Sequence, residues 1–189
     1  MRDIIQDAIL ESIRVKEELL KKSLPQIIEI TEKIISAIKK GGKLIIFGNG
    51  GSASDAQHIA AELVGRFKKE RPAYPAIALT VNTSIITALS NDYSYDIIFA
   101  RQIEALANKS DVVLGISTSG RARNVALGLK QARKMGLSTI LLTGCDGGDA
   151  VNHADLSLIV PSNVTARIQE SHILIGHIIC ELIEGSNVR

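Results

Sequence analysis

Tryptophan is absent from the chain, and aromatic residues make up only 3% of it. A protein so poor in aromatic rings has little on which to stack unpaired bases. A net charge of +2 offers no broad basic face to a phosphodiester backbone. Nucleic acid is therefore not an expected partner. No apolar stretch reaches the roughly 20 residues that a helix needs to cross a bilayer, so no membrane association is expected either. The first residues mix Arg2, Asp3, Gln6 and Asp7 among the apolar ones, unlike a secretory leader. Cysteine is limited to Cys145 and Cys180, which have neither the spacing of a zinc knot nor the number of a disulfide framework. Reduced thiols and a cytoplasmic location are the expectation. What is present is an ordinary globular balance: 46% hydrophobic and 22% charged residues over 189 positions, enough for one domain with a real core.

Two helices are predicted to lead the chain. The first, over 3–22, repeats Ile5, Ile9, Ile13 and Leu20 at helical spacing. The second, over 25–40, carries Pro25 in its first turn and Ile27, Ile30, Ile34, Ile35 and Ile38 within, and Gly41-Gly42 stops it. Neither carries obvious chemistry, and packing or subunit contact is their expected role. From residue 43 the pattern alternates. Short runs rich in Ile, Val and Leu predict strands over 43–47, 76–80, 111–116, 138–143 and 156–160. Helices are predicted over 52–68, 83–90, 95–108, 121–135 and 165–184. This order is that of an open, doubly wound α/β sheet, in which ligands bind beyond the carboxyl ends of the strands. Polar segments of unusual composition fall at those ends: Gly48–Ser52, Asn91-Asp92, Ser117–Gly120 and Thr143–Gly148.

Gly48-Asn49-Gly50-Gly51-Ser52 joins an apolar strand to a helix. Glycines let a ligand approach the backbone, and the first turn of a helix presents free N–H groups with a partial positive charge. The segment reads as an anion cradle. His58 and Glu62 follow on one face of the same helix, with Ser54, Asp55 and Arg66 nearby. They suit a surface contact, an acid/base pair, or one nitrogen and one oxygen for a metal of the zinc or iron type. Ser117-Thr118-Ser119-Gly120 ends the third strand; its three hydroxyls suit either a helix cap or the oxygens of a phosphate. Arg121 and Arg123 follow and are more commonly solvated. The last helix sets Arg167, Gln169, Glu170, His172 and His177 into an otherwise apolar run, a break in pattern typical of functional sites. Gln169 and His177 are eight residues apart, or about 12 Å along a helix. They meet one small ligand only if their side chains converge or if different subunits contribute them. Cys145 has no basic neighbour in sequence and reads as an inert thiol.

Taken together, Gly48–Ser52, His58-Ile59-Ala60-Ala61-Glu62-Leu63, Arg71-Pro72-Ala73-Tyr74-Pro75-Ala76, Asn91-Asp92, Ile116–Gly120, Leu142-Thr143-Gly144, Asp146-Gly147-Gly148 and Arg167–Glu170 resemble the sugar isomerase (SIS) domain. More narrowly, they resemble the phosphoheptose isomerase family over essentially the whole chain. The resemblance implies a single SIS domain over 1–189, with N-terminal helices over 1–42 and an α/β core over 43–189. The implied fold is a three-layer sandwich around a five-stranded parallel sheet. The implied assembly is a homotetramer with sites between subunits. One zinc ion per subunit is implied, held by His58, Glu62, Gln169 and His177. Substrate contacts are implied at Asn49, Gly50, Gly51, Ser52, Glu62, Asn91, Asp92, Ser117, Thr118, Ser119 and Gln169. Glu62 and His177 are the implied catalytic pair for conversion of sedoheptulose 7-phosphate to an aldoheptose 7-phosphate through a cis-enediol. Ala122 and Ala166 depart from the family pattern, which often has Ser at the first position and in some members Asp at the second. A different class of relative binds the replication initiator or senses sugar phosphates without catalysis. Such relatives tend to lack the equivalents of Glu62 and His177, both retained here.

Overall fold

Five aliphatic runs pair into one parallel sheet in the computed structural model, which describes residues 1–186 and 188. The strands are β1 (Leu44–Gly48), β2 (Ala76–Ala78), β3 (Val112–Ser117), β4 (Ser138–Thr143) and β5 (Leu156–Ile159), in the order β2-β1-β3-β4-β5. Every residue of β1 and β3 is buried, which is why these segments read as continuous apolar runs without alternation. In register, Leu44 faces Ala76 on one side and Val112 on the other, and Ser117 pairs with Thr143 at the carboxyl edge.

The helices are α1 (Arg2–Lys22), α2 (Leu24–Lys39), α3 (Gly51–Val64), α4 (Thr83–Asp92), α5 (Ile98–Leu106), α6 (Arg123–Lys134) and α7 (Thr165–Gly185). Leu44, Ile46, Leu114 and Leu142 point to the face covered by α2, α3 and α7, with α1 outside them. Ile45, Phe47, Val113 and Leu141 point to the face covered by α5 and α6. Each fully buried Leu, Ile or Phe contributes about 1.5–3 kcal/mol, so this alternation fixes the three-layer α/β sandwich. The chain leaves β1 through α3 to reach β2 at one edge, then crosses through α4 and α5 to β3 on the other side of β1. That reversal opens a crevice between the carboxyl ends of β1 and β3.

Three predicted boundaries differ for local reasons. The helix expected over 52–68 stops at Val64, because the N–H groups of Phe67, Lys68 and Lys69 donate instead to the Glu184 carboxylate at 3.0, 2.8 and 2.9 Å. The helix expected over 95–108 begins as a 3-10 turn at Tyr95–Ile97, capped by the Ser94 hydroxyl, and becomes α5 only at Ile98. The helix expected from 121 begins at Arg123, since Gly120 takes a left-handed conformation with φ of 65°. A second 3-10 turn at Asp149–His153 had no clear sequence signal. No helix among the described residues is long and apolar enough to cross a membrane. Only Val15 and Leu19 of α1 are buried, and Ile4, Ile5, Ile9, Leu10 and Ile13 remain 48–73% exposed.

Two buried titratable groups hold α7 to its neighbours. Burial alone would raise the Glu184 carboxyl, but three backbone N–H donors and Arg71 outweigh it and hold the group below its ordinary value. Arg71 Nε lies 3.3 Å from Glu184 Oε1, and its guanidinium covers the Tyr74 ring at 4.2 Å. His172 is fully buried and its Nε2–H donates to the Thr143 carbonyl at 3.1 Å. Burial pushes this imidazole down to about 4, against a smaller upward pull from the Thr143 bond. A histidine held neutral in the fold but free to protonate when unfolded stabilises the protein above its ordinary value of 6.5, and that stability is lost as pH falls toward about 4. Glu184 adds a second loss, as pH falls through and below the ordinary carboxylate value of 4.5.

Thermal unfolding followed from pH 8 downward is thus expected to show a decline in midpoint beginning near pH 6.5. His172→Gln, which keeps an N–H donor but does not titrate, should flatten that limb. At neutral pH, Glu184→Gln should cost about 3 kcal/mol, as for a broken buried ion pair, or roughly 6–12 °C in a chain of this size. An unchanged midpoint would remove Glu184 from this stabilising role.

Candidate active site

The carboxyl ends of β1 and β3 and the first turns of α3 and α7 enclose a polar cavity of about 140 Å³. Asn49, Ser52, Ser117, Thr118, Ser119, Ala122 and Gln169 line it. Its volume suits a phosphate-sized group and falls short of the several hundred Å³ of a typical small-molecule site. The hydroxyls do not cap α6, whose N-cap is Ala122 with no side-chain bond. They lie one turn earlier, in a loop where Gly120 N–H donates to Ser117 O and Arg121 N–H to Ser119 Oγ. The Thr118 and Ser119 N–H groups have no backbone partner among the described residues. Two free N–H donors beside two uncommitted hydroxyls make a concavity whose chemistry suits an oxyanion. A Cβ on Gly120 would overlap the Gly147 carbonyl, so the 117–120 and 144–148 loops can nest only with glycine there.

The first glycine loop contributes less backbone than its sequence suggests. Ser52 N–H donates to Asn49 O, and Ala53 and Ser54 N–H to Gly50 O, so these donors are spent within the turn. Gly51 serves by its lack of a side chain: a Cβ there would collide with the Gln169 amide. Farther along the same seam Ile59 of α3 packs on Gly176 of α7, and His58 meets His177. Residue numbers rise together on the two helices, so α3 and α7 run parallel, with the cavity at their amino ends.

Seven residues beyond Gly51, about 10 Å along α3, lies the second cluster. His58 Nε2 is 3.1 Å from Glu62 Oε1 and 3.1 Å from His177 Nε2. Ligand atoms of all three residues lie within 4.8 Å of one another. His58 is half-exposed and Glu62 is about a quarter exposed, so the cluster opens to a ligand. Phe67 stacks on the His177 ring at 5.5 Å between centroids. Asp55, one turn before His58, keeps Oδ2 buried without a hydrogen-bond partner. Burial raises its carboxyl, and His58 pulls it partly back. The two separations from His58 Nε2, 3.1 Å each, are close to the edge of a zinc tetrahedron, about 3.3 Å for bonds near 2.05 Å. The three residues therefore fit a zinc-type ion.

The remaining candidates are placed less centrally. Gln169 lies at the polar cavity and not at the imidazoles, from which eight residues of α7 separate it, about 12 Å. Asn91 and Asp92 end α4, are exposed, and bond to each other at 2.9 Å. Arg167 and Glu170 face away from the cavity and clamp α1: Arg167 binds Glu170 through Nε at 3.0 Å, Arg167 Nη1 donates to Ala8 O, and Ser12 Oγ donates to Glu170. Arg121 and Arg123 pair with Asp146 and Asp96 at the rim, at 2.6 and 3.2 Å. The residues of this area without a sequence signal are Asn124 and Tyr95, both bonded to Asn49.

The SIS domain family matches residues 9–144. The chain is 52% identical over 178 residues to the phosphoheptose isomerase of Roseiflexus sp. strain RS-1, covering 94% of this chain and 90% of that one. It is 56% identical over 165 residues to a probable phosphoheptose isomerase of Thermoplasma acidophilum, covering 87% and 91%. The solved structure of a phosphoheptose isomerase from Francisella tularensis superposes with a TM-score of 0.94 at 38% identity, covering 97% and 98%. With a relative more than half identical over nearly the whole of both chains, the chain belongs to the SIS-domain family and, within it, to the phosphoheptose isomerases.

Proposed function

We propose that the chain isomerises D-sedoheptulose 7-phosphate to D-glycero-D-manno-heptose 7-phosphate, a first step toward nucleotide-activated heptose. The observation that carries this reading is the distance between the two clusters. Parallel packing of α3 on α7 sets the oxyanion cavity roughly 10–12 Å from the imidazole–carboxylate group. An extended seven-carbon sugar spans eight bonds from C1 to phosphorus, on the order of 10 Å at the advance per bond of an extended chain. A phosphate held by Ser52, Ser117, Thr118, Ser119 and Gln169 therefore delivers C1 and C2 to Glu62 and His177. Gly50 and Gly51 floor the sugar chain, and Asn91 and Asp92 meet it from the end of α4. Binding energy from the phosphate fixes the reacting end in place.

Glu62 takes a proton from C1 and returns it to C2, while His177 carries a proton from O1 to O2 by way of the cis-enediol. One carboxylate oxygen of Glu62 faces His58, and Oε2 has no hydrogen-bond partner among the described residues, so ligand and base roles fall to different oxygens. His58, Glu62 and His177 would hold zinc. Bound there, zinc supplies a Lewis acid that polarises the carbonyl and offsets the charge developing on its oxygen. Gln169 reaches such an ion only from another copy of the chain. In this reading the chain is a homotetramer with sites at its interfaces; the exposed aliphatic stripe of α1 supports burial against another copy, since a patch of that kind is seldom left to water.

Incubation with sedoheptulose 7-phosphate should give the aldose product, activity should vanish with a chelator and return with zinc, and zinc should be retained by the purified protein. Glu62→Gln and His177→Asn should each reduce kcat by about 10³-fold, the weight of one general acid/base group. Near-normal turnover in either variant removes that residue from the chemistry. Gly51→Ala is a milder test: the new methyl displaces the Gln169 amide, and KM should rise roughly tenfold, the loss of one hydrogen bond to a charged group. Unchanged KM would show that Gln169 does not hold the substrate.

A further inference from the structure

Asn124 lies in the first turn of α6 and is only 3% exposed, although its side chain is polar. It contributes to no helix cap. Its amide forms a reciprocal pair with Asn49: Asn49 Nδ2 donates to Asn124 Oδ1 at 2.8 Å, and Asn124 Nδ2 donates to Asn49 Oδ1 at 3.0 Å. Tyr95, about half exposed, donates its hydroxyl to the same Asn49 Oδ1 at 3.0 Å. The turn that carries Tyr95 is itself tied to α6, because Asp96 pairs with Arg123 at 3.2 Å. Asn49 thus sits between two elements that converge from the α5–α6 side of the sheet, and it lines the oxyanion cavity.

An amide oxygen has two lone pairs and an amide nitrogen two protons. Both lone pairs of Asn49 Oδ1 are occupied, by Asn124 and by Tyr95, and one Nδ2 proton is taken by Asn124. A single N–H is left. We infer that Asn124 and Tyr95 are positioning residues that hold the Asn49 amide in one orientation, so that it offers an N–H, and not its carbonyl oxygen, to an oxyanion or sugar oxygen in the cavity. This rests on the reading of that cavity as the substrate site. The consequence is selective. Asn49 favours a ligand oxygen that accepts a hydrogen bond, such as a phosphate oxygen or a carbonyl, and gives nothing to a group that can only donate. The same locking explains how a residue in a glycine-flanked turn, otherwise free to change rotamer, becomes a fixed part of the cavity wall.

The test is a double-mutant cycle on the full-length protein with sedoheptulose 7-phosphate. Asn124→Leu and Tyr95→Phe should raise KM by about tenfold and threefold, with kcat changed less than twofold, since they act before the chemistry. In an Asn49→Ala background neither should add anything, because residues acting through a third are non-additive. Asn49→Asp, an acceptor where a donor is needed, should be worse than Asn49→Ala. Losses that simply add in both backgrounds overturn the inference. Tyr95 is at the surface, so Tyr95→Phe remains informative if Asn124→Leu fails to fold. A second measurement does not depend on the substrate. In NMR spectra the Asn49 Nδ2 proton bonded to Asn124 should exchange with water slowly, and about tenfold faster in Tyr95→Phe; equal exchange in both overturns the positioning role. If Asn49→Ala turns over normally, or the wild-type protein does not convert the sugar, the reading of the cavity fails instead, and the exchange rates alone decide whether Asn49 is held.

Discussion

The parallel seam between α3 and α7 is the contact on which both halves of the site depend. The sheet supplies the carboxyl-end loops, but a loop at a strand end gives a ligand only one wall. The second wall is α7, and it comes close because α3 offers Gly51 under Gln169 while α7 offers Gly176 under Ile59. Small residues at both points let the helices approach until His58 and His177 touch. A methyl group at Gly51 would displace the Gln169 amide, and one at Gly176 would press on the Ile59 side chain. The far end of the seam is held by a different device. Glu184, near the end of α7, accepts three backbone N–H groups from the segment that follows α3, and Arg71 ties the same carboxylate to the carbonyls of Glu62, Leu63 and Gly65. That turn also carries Phe67 against His177. A structural ion pair and the backing of a proposed catalytic imidazole are thus the same few residues.

Much of the architecture was legible in the sequence because burial on both faces leaves a strong signature. β1 and β3 are fully buried, mostly apolar runs, and each is followed by a turn whose residues are too small or too polar for a core. The breaks in the apolar pattern of the last helix were equally legible: His177 joins the cluster, Gln169 lines the cavity and His172 locks the helix to β4. What could not be read was direction. Arg167 and Glu170 adjoin Gln169 in sequence, yet a helix turns about 100° per residue, and they face α1 instead. Ser117–Ser119 suited either a helix cap or a phosphate; the left-handed Gly120 inserts a turn before α6, and the hydroxyls do not cap that helix.

Other parts were illegible because the partner is remote in sequence. Gly65 caps α3, but the acceptor for the N–H groups of Phe67, Lys68 and Lys69 is more than a hundred positions away and has no local trace. Asn124 lies within an amphipathic helix whose polar residues mostly face water, so its burial against Asn49 has no local trace. In both cases a long-range hydrogen bond to a buried polar group overrides local propensity, as it must when the alternative is an unpaired buried donor or acceptor.

Helix α1 is tied to the site through α7. By burial it contributes little, two residues only, and its aliphatic stripe is unpartnered among the described residues. By hydrogen bonding it is attached at one spot, the first turns of α7, through Ala8, Ser12 and the Arg167–Glu170 pair. Gln169 lies between those two residues, on the opposite side of the turn. A surface that covers α1 therefore bears on the turn that carries Gln169 into the oxyanion cavity. In the proposed tetramer, assembly and substrate binding would share this element.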